Sequence, residues 1–343
     1  MNSRFPLVTV VTATYQSFQH IEDSIRSVFI QDYPSIEYII TDDGSDGFPI
    51  DKINALIAKE KPERVACRII QHKNNVGTVK NLNAAYKSGN GLYYINLSCG
   101  DIFFDKSVVG KIIGRFKDNK SDVVVTSRIM YTGNYIPICL LPHYEERRII
   151  SGFSSGIDQY KALIKGRFYD MASGSAMSFS RKILESLGFF DEKYRLWEDG
   201  PFLAKYLQIG KLDCAYDIVS IWYESGGISA SAKRKSTTPK GPLGIDTDLF
   251  NSSERMERLD LFSAGEKRLI RYNSYLYKYK ETVFQKLIML MFPYEFISSY
   301  RYKRQRERLA QSDTDTIRKL LENNSEPYSN NVLIIYIDLI LRV

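Results

Sequence analysis

The chain has 343 residues, 44% of them hydrophobic and 25% charged, which is ordinary for a globular protein able to bury a full core. Its net charge of +7 favours an anionic partner such as a nucleotide or a phospholipid surface, and its 13% aromatic content, mostly tyrosine, suits carbohydrate stacking or membrane-interface contact. The four cysteines, Cys67, Cys99, Cys139 and Cys214, form no Cys-x-x-Cys pair, so neither a zinc site nor a disulfide framework is indicated and a reducing, cytoplasmic setting is expected.

Residues 7–15, LVTVVTATY, are a near-continuous β-branched run, the pattern of a strand buried on both faces of a parallel sheet. The start enters this strand directly, so no signal peptide is expected. Ile21, Ile25, Val28 and Phe29 then share one helical face, and Pro34 closes the unit. Strand EYIITDD, helix PIDKINALIAKE, strand ACRIIQH, helix VKNLNAAYKSG and the strand that leads to Asp101 follow. Such alternation is a doubly wound α/β half, in which ligands gather at the carboxyl ends of the strands. Tyr15, Asp42 and Asp101 each stand just after a strand.

A helix over about 106–119 and the strand DVVVTS come next, and residues 127–170 are expected to form a long irregular functional loop. MASGSAMSFS (171–180) reads as a strand, RKILESLGF as a short helix, and EDGPFLAKYLQIG as an amphipathic helix opened by two carboxylates. After strands around LDCAYDIVSIWYE, the segment SGGISASAKRKSTTPKGP is expected to be a mobile loop. From about residue 250 the chain turns to basic, tyrosine-rich helices. LIMLMF and VLIIYIDLIL are too short to span a bilayer, which needs about 20 apolar residues. The expected division is 1–230, an α/β domain; 231–250, a mobile basic linker; and 251–343, a helical basic extension.

In YYINLSCGDIFF (93–104), Gly100 bends the backbone and Asp101 supplies a single carboxylate. Gly-Asp is also plain turn chemistry. In TATYQ (12–16) a tyrosine after one strand can stack on a base, and in TDDGSDG (41–47) an aspartate after the next can accept from a base or ribose. Each alone is equally an ordinary loop. Glu198–Asp199 after Trp197 is open in the same way, since carboxylates favour the first turn of any helix. Acidic strand-end loops argue against a nucleic-acid partner.

Taken together with NVGTVKNLNAAYKSGNGLYYINLSCGD and SGSAMSFSRKILESLGFFDEKYRLWEDGPFLAKYLQIG, these blocks resemble glycosyltransferase family 2, the inverting family with the GT-A fold, over about 220 residues. The resemblance implies transfer of a sugar from a UDP-sugar to a hydroxyl of a glycan acceptor, a lipid-linked surface-polysaccharide intermediate. It puts Tyr15, Asp42, Asp43, Lys80, Gly100 and Asp101 at the nucleotide-sugar, with Asp101 also holding Mg²⁺ or Mn²⁺. It makes Asp199 the general base with Glu198 in support, and puts Gly174, Ser175 and Trp197 at the acceptor. Ser98 and Gly100 replace the family's other acidic positions, leaving one carboxylate, which suffices for a cation that takes its other ligands from a diphosphate and water. Glu224 stands near a position where relatives place a metal-binding histidine, and Lys233, Arg234 and Lys235 follow as a basic run that could close over the diphosphate. The basic tail is expected either to meet an anionic inner membrane leaflet or to pack as a helical cap or dimer contact. A sugar nucleotidyltransferase and a catalytically silent sugar- or nucleotide-binding protein are the alternatives.

Overall fold

The computed structural model describes residues 5–131, 137–168, 170–224, 244–279 and 282–309. Strands β1 (Val8–Thr14), β2 (Ile36–Asp42), β3 (Val65–Gln71) and β4 (Tyr93–Asn96) pair in parallel in the order β3-β2-β1-β4. Helices α1 (Ile21–Phe29), α2 (Ile50–Glu60) and α3 (Thr78–Ser88) connect them. Successive side chains of β1 enter different cores. Val10 packs with Ile25 and Val28 of α1 and Ile53 of α2, whereas Val11 packs with Leu82 and Tyr86 of α3. A strand covered on both faces must be apolar at nearly every position, which is why the run is unbroken.

The chain continues through β5 (Ile102–Phe103), α4 (Val108–Asn119), β6 (Val123–Tyr131), β7 (Pro137–Leu141), α5 (Tyr144–Ser151), α6 (Gly156–Ile164), β8 (Met177–Ser180), α7 (Arg181–Ser186), α8 (Asp199–Tyr206) and β9 (Asp213–Glu224). Among the described residues, nine strands form one sheet that runs on from β4 as β8-β6-β9-β5, with β7 beside β6. β8 is antiparallel to β4 and β6, and β9 is parallel to β6. The parallel half therefore fans to one side of β1, while β4 opens the mixed half on the other. In open α/β sheets such a reversal is where ligands gather, beyond the carboxyl ends of the strands, here those of β1 and β4.

Three expectations change. Residues 127–170 are not one irregular loop: they contain the end of β6, then β7, α5 and α6. Helix α6 was legible, because Ser155 and Asp158 form a reciprocal capping box in which Asp158 N–H donates to Ser155 Oγ (3.1 Å) and Ser155 N–H to Asp158 Oδ2 (3.0 Å). The strand read over 171–180 shrinks to β8, preceded by a 3-10 turn at Gly174–Ala176. And α8 is not amphipathic, since Phe202, Leu203, Ala204 and Tyr206 are all buried. It lies under other helices instead of at the surface.

After β9 come α9 (Gly244–Ser252), α10 (Glu254–Glu257), α11 (Ala264–Lys278), α12 (Thr282–Met291) and α13 (Pro293–Leu309). Residues 244–250, read as the end of a mobile linker, are helical, and Phe250 is buried in the core that also holds α8. The basic run Lys233–Lys235 and the segment VLIIYIDLIL lie outside the described residues, as does the Glu224 side chain. Tyr272, Ile288 and Phe292 make a separate small core among α11, α12 and α13. Lys165 bonds to Glu266 (2.7 Å) and Arg167 to Ser298 (2.9 Å), tying these helices to the α6 region. Among the described residues no helix is long and apolar enough to cross a membrane.

Candidate active site

Asp42 is the last residue of β2 and is fully buried. Its Oδ2 accepts from Ser45 N–H (2.9 Å), and Ser45 Oγ accepts from Gln16 N–H (2.7 Å), linking this turn to the one after β1. Asp42 Oδ1 has no hydrogen-bond partner among the described residues. A buried carboxylate oxygen left this way costs about 1–3 kcal/mol or more unless a ligand fills it. Tyr15, at the end of β1, is 37% exposed, open for a ring to stack on.

Asp43 differs from its neighbour. Its oxygens accept from Val76 N–H (2.7 Å), Gly77 N–H (3.0 Å) and Asn75 Nδ2 (2.9 Å), so it pins the loop that opens α3. Burial pushes its carboxyl upward while the Val76 and Gly77 N–H groups oppose the shift. Three donors from the loop before α3 thus meet this carboxylate. Lys80 is exposed on α3, where its charge acts on Glu192. His72, which the sequence reading passed over, follows β3, with its N–H bonded to Asp42 O (3.0 Å).

The turn after β4 is fixed from several sides. Gly100 has φ +97, a conformation that favours glycine. Its N–H donates to Ser24 Oγ (3.0 Å), and Ser24 Oγ donates to Asp101 O (2.8 Å), so one α1 hydroxyl holds two turn residues. Tyr131 of β6 donates to Gly100 O. Asp101 is 2% exposed. Among the described residues no three His, Cys, Asp or Glu side chains gather in a metal-binding group. One carboxylate on a rigid turn fits only a hard cation that takes its other ligands from phosphate and water.

Glu198 and Asp199 open α8 against the Gly174–Ala176 turn. Gly174 N–H donates to Asp199 Oδ2 (3.2 Å), and Gly200 N–H to Asp199 Oδ1 (2.6 Å). A Cβ on Gly174 would stand 2.5 Å from Glu198 Oε1, so only glycine allows the glutamate to sit there. Protein surrounds both carboxyls, yet neither residue is closed to solvent. Burial pushes Glu198 upward, and the adjacent Asp199 charge adds to the shift. Burial also raises Asp199, opposed by the Gly200 N–H, the Trp197 indole, the Gly174 N–H and the charge of Arg128. Two such neighbours titrate as a pair, above the ordinary carboxylate range.

The structure thus brings Gly174, Ser175, Trp197, Glu198 and Asp199 together, but Trp197 is not an open platform. Its ring packs on Phe250 (centroids 4.8 Å apart) and covers Gly200. Three further residues matter here. Asn96 Oδ1 and Ser175 Oγ are buried with no partner among the described residues, and Asn96 is a polar residue within an otherwise apolar strand end. Arg128, on β6, is 5% exposed. Asp246 on α9 accepts from Arg195 N–H (3.0 Å) and Leu196 N–H (2.6 Å), three and two residues before Glu198. No spacing in the sequence signals that contact.

Several solved structures share this fold. TarS 1–349 of S. aureus, solved in complex with UDP-GlcNAc, superposes with a TM-score of 0.55 at 18% identity, covering 77% of this chain and 70% of that one. The mannosyltransferase PcManGT of Pyrobaculum calidifontis, solved with GDP-Man and Mn²⁺, gives 0.50 at 14% identity and 88% of each chain. The fold is therefore GT-A-like, the α/β architecture of nucleotide-sugar-dependent glycosyltransferases. The model for glycosyl transferase family 2 matches residues 9–188, more than half of the chain, and the chain belongs to that family. An uncharacterized glycosyltransferase of Haemophilus influenzae is 24% identical over 274 residues, 74% of this chain and 80% of that protein. Uncharacterized glycosyltransferases of Rickettsia prowazekii and Rickettsia typhi are 21% and 27% identical, and the matches span 63% and 64% of their lengths. The enzyme is a glycosyltransferase, and the nucleotidyltransferase reading is set aside.

Proposed function

We propose that this enzyme transfers a sugar, with inversion, from a UDP-sugar to a hydroxyl of a glycan acceptor, a lipid-linked surface-polysaccharide intermediate. The observation that carries the reading is the Glu198–Asp199 pair at the start of α8, two partly solvent-exposed carboxyls held against Gly174 and raised by burial. Asp199 takes the proton as the acceptor oxygen bonds to the anomeric carbon from the face opposite the leaving group, and the bond from that carbon to the diphosphate breaks, releasing UDP. Glu198 holds the acceptor, and Asn96 and Ser175 offer sugar hydroxyls their unpaired polar atoms. Asp42 Oδ1 accepts from the uracil or ribose, and Tyr15 stacks on the base.

Asp101 is the residue that would hold Mg²⁺ or Mn²⁺, which neutralises charge on the departing diphosphate when bound. Support for the donor is the likeness to TarS, whose structure contains UDP-GlcNAc, and for the cation the likeness to PcManGT with Mn²⁺. The test is hydrolysis of a panel of UDP-sugars, followed by mass spectrometry with and without Mg²⁺, Mn²⁺ and chelator. Slow, chelator-sensitive release of UDP from one donor is expected. No release from any UDP-sugar, alongside release from another nucleotide-sugar, would overturn the uridine assignment.

A further inference from the structure

The charge of this protein is not spread evenly. Residues 264–309 hold eleven Lys and Arg against four Asp and Glu, an excess of seven that equals that of the whole chain. The rest of the chain is balanced. The same stretch exposes a run of large apolar side chains: Phe284, Leu287, Leu290 and Met291 on α12, then Tyr294 and Ile297 on α13. Leu290 is 76% exposed and Tyr294 78%.

The spacing 284, 287, 290/291 is one helical stripe. The opposite side of α12 is already used, because Ile288 and Phe292 pack on Tyr272. Helix α12 thus carries apolar side chains on two faces, and among the described residues nothing covers the outer one. An uncovered patch of this kind marks a contact surface. Lys286 is exposed within the stripe, and Arg301, Lys303 and Arg304 are exposed just beyond it.

We infer that the outer face of α12 and α13 is a peripheral docking surface for an anionic phospholipid bilayer. Apolar and tyrosine side chains enter the boundary between headgroups and acyl chains, while the flanking lysines and arginines are attracted to anionic headgroups. A second copy of the chain is disfavoured as the occupant, since a symmetric contact would face one excess of seven positive charges with another. The surface lies on a membrane rather than across it, because no described helix is long and apolar enough to span one. This inference stands independently of the donor and acceptor assignments.

The experiment is co-sedimentation of the full-length protein with phosphatidylcholine vesicles, with and without phosphatidylglycerol. Thermal unfolding of each variant confirms that it is folded. Binding to the anionic vesicles only, weakened by salt, is expected. Leu287→Glu/Leu290→Glu should weaken it by about tenfold or more, because two leucines leave the interface. Lys286→Gln/Lys303→Gln should weaken it less and leave a smaller salt dependence. Absence of binding, equal binding to both vesicle types, or an unchanged Leu287→Glu/Leu290→Glu variant would overturn the proposal. So would a light-scattering dimer that this double variant splits.

Discussion

The two sides of the candidate site are built by different means. On the β1–β2 side, Tyr15, Asp42 and Asp43 stand within a residue of strands that pair over seven consecutive positions, and local turns hold them: Ser45 N–H on Asp42, and Asp43 N–H on Thr14 O (3.0 Å). On the α8 side, Glu198 and Asp199 follow a turn-rich segment that has no strand of its own. That segment is braced from elsewhere in the chain. Val79 N–H donates to Arg195 O (3.1 Å), Asp246 accepts from Arg195 and Leu196, and Trp197 leans on Phe250. The first side lies inside the stretch matched by the family model, 9–188, whereas the carboxylate pair and its α9 brace lie outside it. Strand ends place a side chain through backbone pairing that nearly any sequence of the right period can supply. A helix start without a strand before it needs particular side chains as struts.

The largest effect that would break or confirm this division is at the pair itself. Asp199→Asn keeps the size of the side chain but cannot take a proton, and kcat should fall on the order of 10²–10⁴-fold while UDP affinity measured by calorimetry stays as in the wild type. In the wild type the transfer rate should fall as pH drops through the raised range of the pair, since the base works only when ionised. Wild-type transfer by Asp199→Asn would remove the assignment.

A smaller effect sharpens the contrast between local and remote support. Asp246→Ala removes two charge-assisted hydrogen bonds from the segment before Glu198, and kcat should drop on the order of 10–10²-fold with UDP affinity unchanged. Asp246→Asn retains an acceptor and should recover much of the rate. Because the Asp246 charge helps raise Glu198, this variant should also shift the acid limb of the rate profile to lower pH. A purely structural loss would lower rate and UDP affinity together and leave the limb in place.

The smallest expected change is on the other side. Asp42→Ala should weaken UDP by about tenfold, the worth of a hydrogen bond to a charged acceptor, and change kcat at saturating donor little. Equal UDP affinity in mutant and wild type would move the nucleoside away from β2.

Periodicity shows β1–β4 and α1–α3 because a doubly covered parallel sheet imposes a sequence pattern on every strand and helix in it. It does not show α5 and α6, whose short amphipathic turns follow Pro142 and a run of polar residues; only the Ser155–Asp158 box betrays one of them. The difference between Asp42 and Asp43 is equally hidden. Adjacent aspartates in a turn look interchangeable, yet three donors from the α3 loop meet Asp43 while Asp42 Oδ1 has no hydrogen-bond partner among the described residues.

What the sequence determined by itself is the order of strands and helices from β1 to β4, the carboxylates at strand ends and the concentration of positive charge in one late segment, because each is a property of neighbouring residues. Tertiary structure alone decided that Trp197 packs on Phe250, that Asp246 braces the segment before Glu198, and that one side of α12 is covered while the other is not. Those are contacts between residues dozens of positions apart, and no local pattern encodes a partner that only folding brings near.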